Sequence, residues 1–368
     1  MDAPERIDRL ALLEPLESGL WFIGDKTRKA SDNGDIKTLV WLGNDQYLDT
    51  GRRTQRSITG LQELVNVGDL VFVAADGRSL RTYLSAKAKQ NTILLTEECN
   101  NACLFCSQPP RPNGEFFDVA QSALSEFSAP CTIGLSGGEP TLHWEKFIEL
   151  CKEFSKYKIF SFHILTHGRT FSDAGKAREF YDTGAPNFSV LGIPVHGHEE
   201  RSHDLLSGAE GSFKETMNGL INLAMIGVAI EVRVVINAYN IKLLENIAIR
   251  IRSLLKGSPI FVALMQMEPV GWARTNFDRL QVAPEYAAEH LSAAAAVFET
   301  AGIPFGLYNY PLCQVPENLR GACHQSISDW KKYFASTCRS CSVRSRCCGF
   351  FSSSVDKRLF KPIAIYEA

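Results

Sequence analysis

The chain has 368 residues, 45% hydrophobic and 22% charged, with a formal net charge of −2. That balance excludes wholesale disorder, and the near-neutral charge gives no global attraction to nucleic acid or to an anionic membrane. No apolar run approaches the roughly 20 residues a spanning helix needs. Residues 1–18 carry acids and Pro where a signal peptide needs a basic then an apolar run, so a soluble, cytoplasmic protein is expected.

In chain order, residues 1–85 read as a small β-rich N-terminal domain. Short apolar runs at 20–24, 38–43 and 69–77 are separated by polar stretches with Gly, Asp and Asn. The run from Val67 to Leu80 predicts two strands around Asp76-Gly77, because this dipeptide supplies the positive φ of a tight hairpin. From residue 86 to 305 the rhythm is strand, then helix. Strands are expected at 92–96, 132–136, 159–166, 188–195, 229–236 and 260–267. Helices are expected at 115–128, 142–156, 172–183, 212–226, 241–255 and 284–301. In the helix 212–226, Phe213, Met217, Leu220 and Leu223 recur at three- and four-residue spacing, and Gly227 closes it. Six β–α repeats imply an α/β fold with a parallel sheet and right-handed crossovers.

Ligands of such sheets sit at the C-terminal strand ends, and the distinctive residues fall there. Cys99, Cys103 and Cys106 follow the first strand, Gly137-Gly138-Glu139-Pro140 the second, and Thr166-His167-Gly168 the third. Residues 195–203, with three histidines, follow the fourth, and Met267–Gly271 the sixth.

Cysteine is the unusual component: three of eleven lie between 99 and 106, and six between 313 and 348. A disulfide framework does not suit a long chain expected in the cytosol, so clustered thiols read as soft-metal ligands, for zinc or iron–sulfur. Cys131 and Cys151 read as small buried hydrophobes. Three thiolates on one C-x3-C-x2-C loop can hold three corners of a cubane and leave the fourth iron open; zinc would want a fourth ligand, and the nearest other Cys is Cys131. The two glycines of GGEP let the backbone bend sharply and approach a ligand, and Pro140 fixes the exit. An ordinary strand-to-helix turn, with Glu139 at the positive end of a helix dipole, is the simpler alternative.

Together, the three-Cys loop, GGEP and the six β–α units resemble the radical S-adenosylmethionine (SAM) superfamily over roughly residues 91–300. The resemblance implies a partial (β/α)6 TIM-like barrel and a [4Fe–4S] cluster on Cys99, Cys103 and Cys106, with Phe105 as the aromatic before the third Cys. It implies that the open iron chelates SAM, with Gly137, Gly138, Glu139 and Pro140 cradling the methionyl amino group. The implied activity is reductive cleavage of SAM to a 5′-deoxyadenosyl radical that abstracts a substrate hydrogen. Thr166, His167 and Met267 are expected at the cofactor. Arg233 pairs either with the SAM carboxylate or in an outward salt bridge. Relatives carry Ser-x-Asp-Gly at the fourth strand end, where this chain has Pro194, Val195, His196 and Gly197, so those contacts do not carry over. His196, His198 and His203 read either as a metal site or, more simply, as polar loop residues of which one touches substrate.

At the other end, C-x2-C-x5-C (Cys338, Cys341, Cys347) after Cys313 resembles the shortened SPASM, or twitch, extension. The resemblance implies a cysteine-rich unit over 306–368 holding one auxiliary iron–sulfur cluster on Cys313, Cys338, Cys341 and Cys347. Zinc is the alternative metal, and Cys323 and Cys348 are surplus, either one an alternative to Cys313 in that set. Lys331, Lys332, Arg339, Arg344, Arg346, Lys357, Arg358 and Lys361 make this stretch basic, read as a solvated face or as a contact for acidic peptide or RNA. The segments 106–110, 326–334 and 347–351 are similar to HxsC-type maturases of His-Xaa-Ser peptide systems. That similarity implies a precursor peptide substrate that acquires a crosslink or oxidation, with a second radical SAM maturase, a small helper protein, and an electron donor such as flavodoxin or ferredoxin as partners. The competing functions are a tRNA- or nucleobase-modifying radical SAM enzyme and a non-catalytic zinc or iron–sulfur scaffold.

Overall fold

A computed structural model of the chain describes residues 10–12, 16–24, 36–43, 46–50, 52–112, 114–357 and 361–366. Residues 1–9 and 13–15 of the first eighteen, and Arg358, lie outside the described residues. Among the described residues no helix is long and apolar enough to cross a membrane.

The first part is a seven-stranded sheet. The expected hairpin forms from Leu70–Val73 and Ser79–Leu84, with Val73 opposite Leu80 and Gly77 at φ +68° in the turn. Gly19–Gly24 and Lys37–Gly43 are also strands, but they pair in parallel. Alternation along these strands separates two packing faces. Trp21, Ile23, Leu39, Val71 and Val73 build a local core, whereas Phe22, Leu70 and Leu84 join the core of the second sheet. The turn into that sheet is pinned: buried Asp69 accepts the Ala86 N–H at 2.6 Å, and the Asn91 side chain bonds both Ser85 N–H and C=O.

The second sheet has eight parallel strands, each paired with its chain neighbours: β1 (Gln90–Thr96), β2 (Cys131–Gly137), β3 (Phe160–Leu165), β4 (Ser189–Pro194), β5 (Ile230–Ile236), β6 (Ile260–Gln266), β7 (Phe305–Tyr308) and β8 (Cys323–His324). No pairing joins β1 to β8 among the described residues, so the barrel is open, a partial TIM-like barrel. The six expected helices form at Phe117–Glu126, Trp144–Glu153, Ala174–Asp182, Ser212–Met225, Leu244–Leu255 and Pro284–Ala301. β7 and β8, four and two residues long, were not expected; such short runs carry no readable period.

On β5, Ile230, Val232, Val234 and Ile236 are all at most 5% exposed and face the helices. Glu231 and Arg233 therefore point to the concave side. The C-terminal part is a sequence of short turns around a two-stranded ribbon, Lys332–Tyr333 with Phe350–Phe351, followed by the segment 361–366.

Candidate cluster and cofactor site

The loop Cys99–Cys106 leaves the C-terminal end of β1 and is held by backbone bonds from loops far away in sequence. Ala102 N–H and Leu104 N–H donate to Ser207 and Leu206 carbonyls at 2.9 and 3.0 Å, at the end of the helix Glu200–Ser207. Asn276 Nδ2 donates to Leu104 O at 2.7 Å, and Trp272 N–H to Cys106 O at 2.8 Å. Two glycines make these approaches possible. A Cβ on Gly208 (φ +64°) would stand 2.4 Å from Ala102 O, and one on Gly271 (φ +56°) 2.6 Å from Cys106 O. Any side chain at either position would push the loop away.

The three thiols lie near enough to repel one another as anions. Burial pushes Cys103 up to about 12 and Cys99 up to about 11, and raises Cys106 as well. Thiols in such a setting become thiolates when a metal deprotonates them. Three thiolates on one loop suit the donor set of a cubane with one iron free of protein. All eleven cysteines are free thiols, and among the described residues no group of three His, Cys, Asp or Glu is arranged to hold a single metal ion.

The GGEP turn is fastened to this loop through backbone. Gly138 N–H donates to Thr96 O at 2.8 Å and Glu139 N–H to Glu98 O at 2.7 Å. A Cβ on Gly137 would lie 2.4 Å from Thr96 O, and one on Gly138 2.0 Å from Glu98 O. The close approach that the glycines permit is thus to the segment leading into Cys99. Glu139, fully buried, accepts four hydrogen bonds. Oε1 takes Thr141 N–H (3.1 Å), Thr141 Oγ1 (2.6 Å) and Thr166 Oγ1 (2.7 Å), and Oε2 takes His167 N–H (2.7 Å). Its carboxylate staples the end of β2 to the end of β3.

His167 is neutral. Burial lowers its pKa, its Nδ1 accepts the Arg169 N–H at 3.1 Å, and its Nε2–H therefore faces Asn100 Oδ1 at 2.6 Å. The approach of Nδ1 to Glu139 is a contact, not an ion pair. Arg169, which the sequence reading passed over, completes the clamp: it donates through Nη1 to Asn100 O (3.1 Å) and Asn101 Oδ1 (2.6 Å), and through Nε to Glu215. No local pattern marks it, since its side-chain partners come from two distant segments.

Arg233 forms a salt bridge, but inward. Its Nη1 donates to Glu231 Oε1 at 2.6 Å on the concave side, where Glu231 also meets His163 at 3.5 Å across β4. The space between them exists because β4 carries Gly192; a Cβ there would meet His163 Nε2 at 3.0 Å and Arg233 Cδ at 3.2 Å. Phe105 and Met267 pack together with Leu206, Ala273 and Leu280 beneath the three-thiol loop. His196 and His203 are 2% exposed, not loop polars: His196 stacks edge-on against Phe105, and its N–H donates to His203 Nδ1. Cys151 is fully buried, while Cys131 is half-buried and meets Asn91 Nδ2 at 3.5 Å.

In the C-terminal part, Cys313, Cys338 and Cys347 are mutually close, Cys341 adjoins Cys338, and Cys323 adjoins Cys347. Cys341 and Cys347 line an open cavity of about 510 Å³ together with Lys332 and Arg344. Cys347 is held down to about 6, first by the Cys348 thiol and then by N–H groups of Leu312 and Gly349. The segment 361–366 contributes donors that sequence reading did not anticipate: Ile363 N–H to Cys313 and Ile365 N–H to Cys341 Sγ (3.4 Å). Residues two apart in extended chain present their N–H groups to the same side.

A parallel β/α sheet with a three-thiol loop at its C-terminal rim defines a cofactor domain of the TIM-like kind. Residues 93–248 match the Radical SAM superfamily model, and the chain carries a radical SAM domain, which takes SAM and a [4Fe–4S] cluster. The chain is 25% identical to an Fe-coproporphyrin III synthase of Methanosarcina barkeri, over 48% of this chain and 45% of that protein. It is 29% identical to the sporulation killing factor maturation protein SkfB of Bacillus subtilis, over 44% of this chain and 38% of that protein. It thus spans less than half the length of these curated relatives. A crystal structure of Streptococcus suis SuiB bound to S-adenosylmethionine aligns at TM-score 0.47 and 11% identity, over 60% of this chain and 50% of that one.

Proposed function

We propose that the chain is a radical SAM enzyme that modifies a peptide. The observation that carries this reading is the half-buried three-thiol loop locked against GGEP at one rim of the sheet, inside the segment that matches the superfamily. Cys99, Cys103 and Cys106 hold the cluster, and Gly137–Pro140, Thr166, His167, Arg233 and Met267 shape the rim where SAM binds. Held by these three thiolates with SAM at this rim, a [4Fe–4S] cluster would supply one-electron reductive cleavage of SAM and, through it, hydrogen abstraction from the substrate.

The chain's own residues then have three tasks. Arg169 and the Asn100–Asn101 pair keep the thiols in register, the Glu139 staple holds the SAM-side turn rigid, and Phe105 with Met267 and Leu280 keeps water from beneath the loop. The peptide class is supported by the similarity to SkfB, a sporulation killing factor maturation protein, and by the resemblance to HxsC-type maturases. In this reading residues 306–368 hold one auxiliary cluster on Cys313, Cys338, Cys341 and Cys347, residues 86–305 are the catalytic core, and residues 1–85 form a β-rich N-terminal domain. A tetrapyrrole substrate is the second reading, favoured by the match to Fe-coproporphyrin III synthase.

The test is anaerobic reconstitution with iron and sulfide, followed by SAM and dithionite. Release of 5′-deoxyadenosine is expected; a reconstituted protein that binds only zinc and cleaves no SAM removes the enzyme reading. Incubation with a synthetic peptide rich in His-Xaa-Ser, against Fe-coproporphyrin precursors, separates the two substrate classes by mass change.

A further inference from the structure

Asn101 stands midway between the first two thiols of the loop and is 7% exposed. Its backbone N–H donates to Cys99 Sγ at 3.4 Å. Its side-chain amide hydrogen-bonds Cys103. One buried residue therefore serves two of the three sulfurs. Its neighbour Asn100 is different: its side-chain oxygen goes to His167 Nε2 and its carbonyl to Arg169, and among the described residues it bonds no sulfur.

Arg169 decides which end of the Asn101 amide meets the sulfur. A guanidinium has five N–H donors and no acceptor, so the atom it touches must be the oxygen. Arg169 Nη1 donates to Asn101 Oδ1 at 2.6 Å, which leaves the NH2 for Cys103. The guanidinium is itself fixed, since its Nε donates to Glu215 and its Nη1 also reaches Asn100 O.

We propose that Asn101 sets the reduction potential of the cluster on this loop by donating to two of its thiolates, and that Arg169 is the positioning residue that keeps the Asn101 amide in its donating orientation. The inference rests on the cluster assignment made above and concerns the same site. Reduction adds negative charge that spreads onto the sulfurs, so N–H donors stabilise the reduced form more than the oxidised one and raise the potential. Burial strengthens the effect, because water does not compete for these sulfurs as it does at an exposed site. The pair thus makes the loop cluster easier to reduce.

The test is an EPR-monitored redox titration of the full-length reconstituted protein, following the signal that SAM alters. Asn101→Leu removes the side-chain donor and keeps the backbone N–H. One hydrogen bond is a factor of about five in an equilibrium, so the potential should fall by about 40 mV, at about 59 mV per tenfold for one electron. Arg169→Gln should lower it as well. The double variant should fall by less than the sum of the two, because Arg169 acts through Asn101. Iron content should stay parental throughout, and Asn101→Ala repeats the removal with a smaller side chain. A parental potential in both Asn101 variants, or loss of the loop's iron in both, overturns the tuning role. Shifts that add fully in the double variant overturn the positioning role of Arg169. If no signal of the parent protein responds to SAM, the cluster assignment and the enzyme reading fall; a SAM-responsive signal whose potential does not move removes the tuning role alone.

Discussion

Glu139 offers the sharpest test of how the rim is built. In Glu139→Ala two backbone N–H groups and two hydroxyls lose their acceptor in a site that is closed to water. Hydrogen bonds to a charged group contribute about 1.5–3 kcal/mol each. They are not additive, and removing one partner of a buried charged network costs ~3–5 kcal/mol in total. A typical domain holds only about 5–15 kcal/mol, so the loss is large. Glu139→Gln should cost less, ~1–3 kcal/mol. Its oxygen can keep the three Oε1 bonds, while its NH2 meets the His167 N–H donor, and His167 Nδ1, 3.2 Å from Oε2, already accepts the Arg169 N–H. The assay is anaerobic guanidinium unfolding of the metal-free protein, followed by circular dichroism. An alanine variant within about 0.5 kcal/mol of the parent, below the usual worth of even one such bond, would refute the staple. If the carboxylate instead served SAM directly, Glu139→Gln would leave unfolding unchanged and weaken SAM binding.

Three other outcomes are expected. Burial holds His203 down to about 4, against an ordinary 6.5, so its neutral form is the folded one. Stability should therefore be full above pH 6.5 and fall as the pH drops toward 4, by about 3 kcal/mol. His203→Gln should flatten that slope in unfolding curves taken between pH 7 and 4, and an unaltered slope speaks against the assignment. Cys103→Ala should lose one cluster's worth of iron and all SAM cleavage while its unfolding midpoint barely moves; retention of the full iron complement rejects Cys103 as a ligand. Deleting the chain from Lys361 onward removes the N–H donors to Cys313 and Cys341. The auxiliary cluster should then shift to a more negative potential, by about 40 mV per lost bond at ~1 kcal/mol each, in an EPR-monitored redox titration. An unshifted potential shows that those donors do not tune it.

Much of the frame was legible because its signals are local. The six expected strands begin or end within about two residues of those found, since alternation and apolar runs are properties of five to eight consecutive residues. β7, β8 and the helix Glu200–Ser207 were not, being short or lodged in a polar run that resembles a loop. The histidines of that run read as solvated for the same reason, yet tertiary packing buries His196 and His203.

What the sequence determined by itself is the donor set and its setting: three thiols within eight residues, a glycine pair after the next strand, and a second group of thiols near the end. Chemistry of that kind depends on residue identity and short spacing, both of which are written in the chain. Only the tertiary structure decided how the donors are held. Arg169 reaches Asn100 from 69 residues away, and Asn276 reaches Leu104 from 172. Thr166 spends its hydroxyl on Glu139, Arg233 turns inward to Glu231, and Gly208 and Gly271 are glycines because distant carbonyls leave no room for a Cβ. Such partners are chosen by which strand ends the sheet brings to one rim, and no spacing along the chain encodes that.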